Sequence, residues 1–284
     1  AWQWQTNSGP WKPVTRYPQN NEGIAPHLLE DPVIEVQPES LDDGLFDFGR
    51  ELYGYVVIQS TQKPVLYFGE SATEARDTAN TVLEQTRALI SEGQGRWRSK
   101  VPLAFRYAYL PGFGLKDVHC EAVIRPGSYK GAFASSDPLL NQIWMNSAYT
   151  LRLNMHDFLL DGMKRDRLPW TGDMAMSLLV NSYTFADKEL ARRSLVGLGR
   201  AGIEQTDING IVDYSLWWIV AQDLYQLYYG DSEHLIREWE RIHQALEILA
   251  ARTDEKGFLR VGTDDWFFID WVDQPKWTAV QVMW

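Results

Sequence analysis

Near residue 135 the spacing of apolar residues changes period, and this change constrains the fold more than any other feature of the chain. Before it come short runs rich in β-branched and aromatic residues, bounded by Gly, Pro and Asn: Pro32-Val33-Ile34-Glu35-Val36, Gly54-Tyr55-Val56-Val57-Ile58, Val65-Leu66-Tyr67-Phe68 and Ala122-Val123-Ile124. Regularly spaced short strands predict a β-sandwich of jelly-roll type over residues 1–134. Thr73 to Gly95 reads equally as a helix or as a decorated sandwich loop. After Ser135 the spacing is helical. Ser136-Asp137-Pro138 sets a capping side chain directly before a proline suited to a first helical turn. Helices follow at about 137–157, 173–186, 187–204 and 213–229. After Asp231, Leu235, Trp239, Ile242, Leu246 and Leu249 recur as one apolar stripe. Long loops carrying Trp, Asp and Gly join some of these helices, so residues 135–284 read as a helical toroid or bundle whose loops do the chemistry.

Composition narrows the function. The formal net charge is −11, which argues against a surface built to bind nucleic-acid phosphates. No apolar run is long enough for a membrane span. A single cysteine, Cys120, leaves no disulfide framework and no multi-cysteine metal site. It lies in a β run and reads as a buried thiol. The five histidines show no ligand spacing and read as surface or satisfied core residues. Gly197 to Gly202 fits a dinucleotide-loop pattern but follows no strand, so no nucleotide or redox cofactor is expected. Nine of the 13 tryptophans and a net charge of −8 fall after residue 134, so acid and indole concentrate together in the helical half.

They are densest in Asp161-Gly162-Met163-Lys164-Arg165-Asp166-Arg167-Leu168-Pro169-Trp170-Thr171-Gly172-Asp173. Glycoside hydrolysis needs one carboxyl to protonate the leaving oxygen and another to act as base or nucleophile. Asp and Arg hold sugar hydroxyls through charge-assisted bonds, and an indole face stacks on a pyranose. A purely local role is also open: Asp173 as an N-cap, and Asp161 and Asp166 paired with Arg165 and Arg167 as loop staples. Thr263 to Asp273 alternates acids with aromatics, which suits either a polyol-binding rim or a surface hairpin with solvated acids. In Asp213-Tyr214-Ser215-Leu216-Trp217-Trp218, Asp213 reads as a helix cap, and at least one of the two indoles should be core, because neighbouring helical residues point apart.

The segment Asp161–Asp173 resembles the acidic motif of the bacterial α-L-rhamnosidases, glycoside hydrolase family 78, at Asp161, Arg165, Asp166, Arg167, Trp170, Gly172 and Asp173. Phe46-Asp47-Phe48-Gly49-Arg50, Tyr67-Phe68-Gly69-Glu70, Phe105-Arg106-Tyr107 and Gly131 to Asn141 are similar to that family's sandwich and its junction into the first helix. Ile269-Asp270-Trp271 is similar to a later sugar-facing loop. The resemblance runs from about residue 40 and implies a jelly-roll-like sandwich packed on an (α/α)6 barrel, incomplete in this chain. It implies hydrolysis of terminal α-L-rhamnosyl groups with inversion, on a carbohydrate substrate and with no redox or nucleotide cofactor. No metal ligands are assigned, and calcium on the acidic 264–273 loop is left open, its spacing matching no calcium loop. It places Asp166 at the general acid, Asp161, Arg165 and Asp173 at the rhamnose hydroxyls, and Trp170 at an aromatic wall. Asp270 and Trp271 match more loosely, and Trp217 or Trp218 more loosely still.

Two departures stand out. The acid position holds Asp166 where the family usually has Glu, which sets the carboxyl back by about 1.5 Å. The family's general base is a Glu on a later loop not found here, and an (α/α)6 barrel needs more helices than this sequence carries. The 284 residues are therefore expected to be an interior stretch of a longer polypeptide, poorly active alone and with apolar helix faces uncovered. The start at Ala1, without Met or a signal segment, fits that expectation. Other readings are an inverting glycosidase for a different sugar on the same fold, a non-catalytic carbohydrate-binding module, and a structural helical partner domain. Compartment, whether cytoplasm, periplasm or exterior, and homo-oligomer formation are both left open by the sequence.

Overall fold

The computed structural model describes the two short strands β1 (Gln3–Trp4) and β2 (Lys12–Pro13), then residues 32–79, 87–114, 117–200, 203, 206–262, 265–271 and 276–284. The chain divides into two compact units, Ala1–Glu30 and Asp31–Trp284. In the first, β1 and β2 pair antiparallel.

The second unit is mixed α/β. Its strands are β3 (Val33–Val36), β4 (Glu39–Asp42), β5 (Leu45–Gln59), β6 (Tyr67–Gly69), β7 (Leu89–Gly93), β8 (Arg96–Ser99), β9 (Leu103–Tyr109) and β10 (Val118–Val123). They form one eight-stranded antiparallel sheet ordered β3-β10-β5-β8-β7, with β4 and β9 also on β5 and β6 on β9. At 15 residues β5 is long enough to serve four neighbours, and its register with β9 shifts between Asp47 and Leu52. A bulge of this kind bends a strand and raises its twist, which curls the sheet around Phe46, Leu52, Ile58, Phe68, Phe105 and Cys120. The stretch from Thr73 to Gly95 is neither a long helix nor a plain loop. It takes in most of the short α1 (Ala72–Arg76), then β7 and the turn of the β7–β8 hairpin at Gly93, Gln94 and Gly95, all with positive φ.

After β10 come α2 (Pro138–Leu153), α3 (Thr171–Tyr183), α4 (Lys188–Gly199), α5 (Val212–Tyr229), α6 (Ser232–Ala251) and α7 (Trp277–Met283). Asp137 caps α2 by accepting the Leu139 N–H, ahead of Pro138, as the sequence predicts. Central α5 buries Trp218, whose indole N–H donates to the Leu195 carbonyl at 2.9 Å. Leu178, Leu190, Leu195, Tyr225 and Ile242 pack around it.

The stripe expected on α6 is rotated. His234, Glu238, Ile242, Ala245 and Leu249 are buried, whereas Trp239 and Leu246 are exposed. Polar groups with fixed partners took the inward positions: His234 Nε2 meets Gln222 Oε1 at 2.8 Å, and Glu238 accepts from Arg241. Such pairing removes most of the cost of burying them.

Sheet and helices are tied by named bonds. The Tyr149 hydroxyl donates to the Glu51 carbonyl, Arg125 pairs with Asp187 at 2.9 Å, and the Lys130 and Gly131 amides donate to the Thr184 carbonyl. Among the described residues no helix is long and apolar enough to cross a membrane.

Candidate active site

The loop from Asp161 to Trp170 is closed on itself. The Asp161 amide donates to the Leu168 carbonyl at 3.1 Å, and the Leu168 amide returns a bond to Asp161 Oδ1 at 2.9 Å. Asp166 accepts the Trp170 indole N–H at 3.1 Å. Arg167 has φ +53 and donates to the Pro102 carbonyl at 3.0 Å, with its guanidinium over the Tyr53 ring. Lys164 pairs with Glu74 at 2.7 Å and Glu70 at 3.1 Å. Arg167, one of the two arginines read as possible staples for Asp161 and Asp166, instead reaches the sheet side, as does Lys164, and the two carboxylates accept N–H donors inside the loop.

Trp170, not Asp173, occupies the N-cap position of α3, with no side-chain cap. Capping falls to Asn209, itself at φ +56, whose Oδ1 accepts from the Thr171 amide at 3.1 Å and the Thr171 hydroxyl at 2.7 Å. Asp173 sits in the first turn of α3, where the helix dipole favours an anion. It is exposed by area, yet nearby protein atoms still desolvate its carboxyl. That desolvation, then the charges of Asp161 and Asp166, hold its pKa above the usual carboxylate value.

Gly172 has a packing reason. A Cβ there would stand 3.1 Å from the Tyr214 ring and 3.6 Å from Trp217, so its absence lets α3 close on α5. Half-buried Trp217 packs against the helical core beside it, and Trp218 is core outright.

The third segment, residues 265–271, arrives from beyond α6. Phe268 and Trp271 meet edge to face at 4.9 Å, Tyr214 meets Phe268 at 6.1 Å, and Trp170 meets Tyr214 at 6.1 Å. These aromatic contacts form a continuous row from Asp166 to Trp271, a residue 82% exposed. Asp270 is exposed, and its Oδ1 accepts the Trp271 amide at 2.7 Å. Asp264 and Asp273 lie outside the described residues. The segment 265–271 has no strand, so a hairpin is not the form it takes.

Sequence reasoning missed three members. Tyr214 bridges the row, and its phenol is held strongly protonated by burial and by Asp173, Asp213 and Asp161. Its spacing of three from Trp217 puts both on one helical face, a signal that was available. Phe268 was passed over among its aromatic neighbours, and Asn209-Gly210 carried a turn signature. Asp213, expected to cap α5, instead accepts from the amides of Phe268 and Ile269. Among the described residues no group of three or more His, Cys, Asp or Glu is arranged to hold a metal ion.

Carboxylates and aromatic rings thus meet where the Asp161–Trp170 loop, the first turns of α3 and α5 and residues 265–271 come together. Residues 128–282 match the bacterial α-L-rhamnosidase six-hairpin glycosidase domain, more than half of the sequence, and the chain belongs to that family. In structure it is similar to a rhamnosidase from Klebsiella oxytoca with rhamnose bound, with a TM-score of 0.68 and 25% identity over 87% of this chain and 56% of that one. It is also similar in fold to the GH78 rhamnosidase of Bacillus sp. GL1, with a TM-score of 0.65 and 24% identity, covering 89% of this chain and 28% of that one. An α-L-rhamnosidase from Dictyoglumus thermophilum shares the fold at a TM-score of 0.64 and 20% identity, over 79% and 29% of the two chains. The chain therefore spans about half the length of the first and under a third of the other two. No curated protein matches it by sequence.

Proposed function

We propose that this chain carries sugar-binding and acid machinery of an inverting α-L-rhamnosidase acting on terminal α-L-rhamnosyl groups. In this reading residues up to 134 act as a sandwich-type support, and residues 135–284 form the N-terminal part of an (α/α)6 barrel. Asp166 protonates the leaving oxygen. Asp161, Arg165 and Asp173 bind ring hydroxyls, Trp170 forms the wall beneath the ring, and Asp270 with Trp271 closes the far side. Trp217 backs Gly172 and keeps the α3–α5 contact tight. No residue of the chain is assigned as base.

One observation carries this reading: the unbroken aromatic row that joins the Asp166 loop to Trp271. At the ends of the row, the exposed Trp271 and the half-buried Trp170 are the rings that can stack on the apolar side of a pyranose while the flanking carboxylates take its hydroxyls. A second assignment of the acid has its own support. Asp173 has the raised pKa that suits a proton donor, and the cause is desolvation with two anionic neighbours.

Leaving-group dependence separates the two. Expressed from its full reading frame, the protein is assayed on p-nitrophenyl and on alkyl α-L-rhamnopyranosides, with the released anomeric proton followed by NMR. An aryl leaving group departs without help, so loss of the true acid spares that substrate relative to the alkyl one, by about 100-fold or more. If Asp166→Asn shows this pattern and β-rhamnose appears first, Asp166 is the acid and inversion holds. If Asp173→Asn shows it instead, the roles exchange. Turnover of another glycoside but not of rhamnosides would discard the substrate, and no turnover of any glycoside by folded protein would leave a binding module.

A further inference from the structure

Asp213 is fully buried in the first turn of α5. It does not cap that helix: Ile211 holds the N-cap position, with no side-chain cap. Instead both carboxylate oxygens point at the 265–271 segment. Oδ1 accepts the Phe268 amide at 2.7 Å, and Oδ2 accepts the Ile269 amide at 3.2 Å. Among the described residues no Lys or Arg pairs with it. Next to Asp213, the Val212 amide donates to the Trp266 carbonyl at 2.9 Å, so three consecutive bonds hold residues 266–269 on the start of α5.

The held backbone is unusual. Ile269 has φ +52, a left-handed conformation that a β-branched residue adopts only when its surroundings impose it. A carboxylate that takes two successive amides imposes that turn, and the positive end of the α5 dipole favours the buried charge. Beyond Ile269 the chain reaches Asp270 and the exposed Trp271. Lys276 adds one bond, from its ammonium to the Asp270 carbonyl at 2.6 Å.

We propose that Asp213 is a positioning residue for sugar recognition: by clamping the Phe268–Ile269 amides it fixes where Asp270 and Trp271 stand. It touches no substrate and acts through the loop. The assignment to sugar recognition rests on the rhamnosidase reading above, whereas the clamp itself is a property of the loop.

The test uses Asp213→Asn, which keeps shape but turns one acceptor into an NH2 donor facing a backbone N–H. Amide exchange of residues 265–271, rhamnose affinity by titration, and the split between KM and kcat are read together. The expected result is exchange at Phe268 and Ile269 at least about tenfold faster, with α4 amides unchanged as the fold control. Rhamnose binding weakens about tenfold and KM rises alike, while kcat moves less than about threefold. In a Trp271→Ala background the same substitution costs clearly less than it does alone, since only the share that acts through Asp270 is left to lose. If Asp213→Asn does not fold, Asp213→Glu keeps the buried charge but moves the carboxylate by about 1.5 Å, and it should fold while showing the same weakened affinity.

Unchanged loop exchange would overturn the clamp, and a loosened loop with unaltered rhamnose affinity would overturn the positioning role. So would full additivity with Trp271→Ala. A parent protein that binds no rhamnose refutes the functional reading and the role assigned to Asp213 in it, while the exchange data still judge the clamp separately.

Discussion

Replacing Glu51 by Gln should stabilise the protein, and more so the higher the pH. Glu51 lies on β5 where the sheet meets the helices, and its Oε1 is buried without a hydrogen-bond partner among the described residues. Burial, reinforced by Glu70 and Glu74 and opposed by Lys164, pushes its carboxyl from 4.5 up to about 8. An acid with a raised folded-state pKa holds its proton more tightly in the folded chain than in the unfolded one. Stability is thus undiminished below pH 4.5 and declines as pH rises toward about 8. Each pH unit costs at most about 1.4 kcal/mol across that window. Water reaching the half-buried side chain reduces the full sum to about 2–3 kcal/mol. Urea unfolding at several pH values from 4.5 to 9, for wild type and Glu51→Gln, isolates this term, because every other titration is common to both. Near the acid limit the two should unfold at similar urea concentrations. By pH 8 the variant should be ahead by about 2–3 kcal/mol, with an unchanged m-value. A difference that stays constant with pH, or a wild type that is more stable at pH 8, would refute the reasoning.

Three further outcomes are expected. Gly131→Ala would place a Cβ 1.7 Å from the Tyr183 carbonyl oxygen, a backbone clash that should cost about 3 kcal/mol or more in urea midpoint analysis. Asn209→Ala should cost about 1–2 kcal/mol through loss of the α3 cap and of a side chain suited to positive φ. Asn209→Gly should cost less, since glycine accepts that backbone freely, and thermal melts of the pair would show the order. Asp47 is bound by both arms of the Arg106 fork at 2.8 Å, and this bond first of all lowers its carboxyl below 3.8. Its contribution is therefore present above pH 3.8 and fades as pH falls further. With Arg106 39% exposed, solvent limits the pair to about 0.5–1 kcal/mol. Asp47→Asn should narrow the stability gap between pH 5 and pH 2.5 by that amount.

What could be read in advance follows the range of the interactions involved. Helices α2 to α5 were legible because a 3.6-residue period is written within the segments themselves, helped in α2 and α4 by local caps at Asp137 and Asp187. The acidic motif was legible by spacing. The inward face of α6 was not: Trp239 and Leu246 continue the apolar period, but His234 and Glu238 found partners in Gln222 and Arg241 and took the buried side. The β7–β8 hairpin was hidden because polar residues dominate Ser91 to Lys100. Asp213 looked like a cap, since its true partners are backbone amides 55 and 56 residues downstream. No side-chain pattern encodes an amide.

Two of the motif's three cations part from its carboxylates. Lys164 and Arg167, three apart, take partners on the sheet side: Glu70 and Glu74 for one, the Pro102 carbonyl and the Tyr53 ring for the other. Asp161, Asp166 and Asp173 gather at Tyr214 and Trp170 instead. Asp173 keeps a raised pKa, through desolvation and then through the charges of Asp161 and Asp166. The sheet is thus more than a neighbour of the helices. By taking up two of the loop's positive charges it holds the loop on the sheet side, while Asp161 and Asp166 accept N–H donors inside the loop, from Leu168 and Trp170.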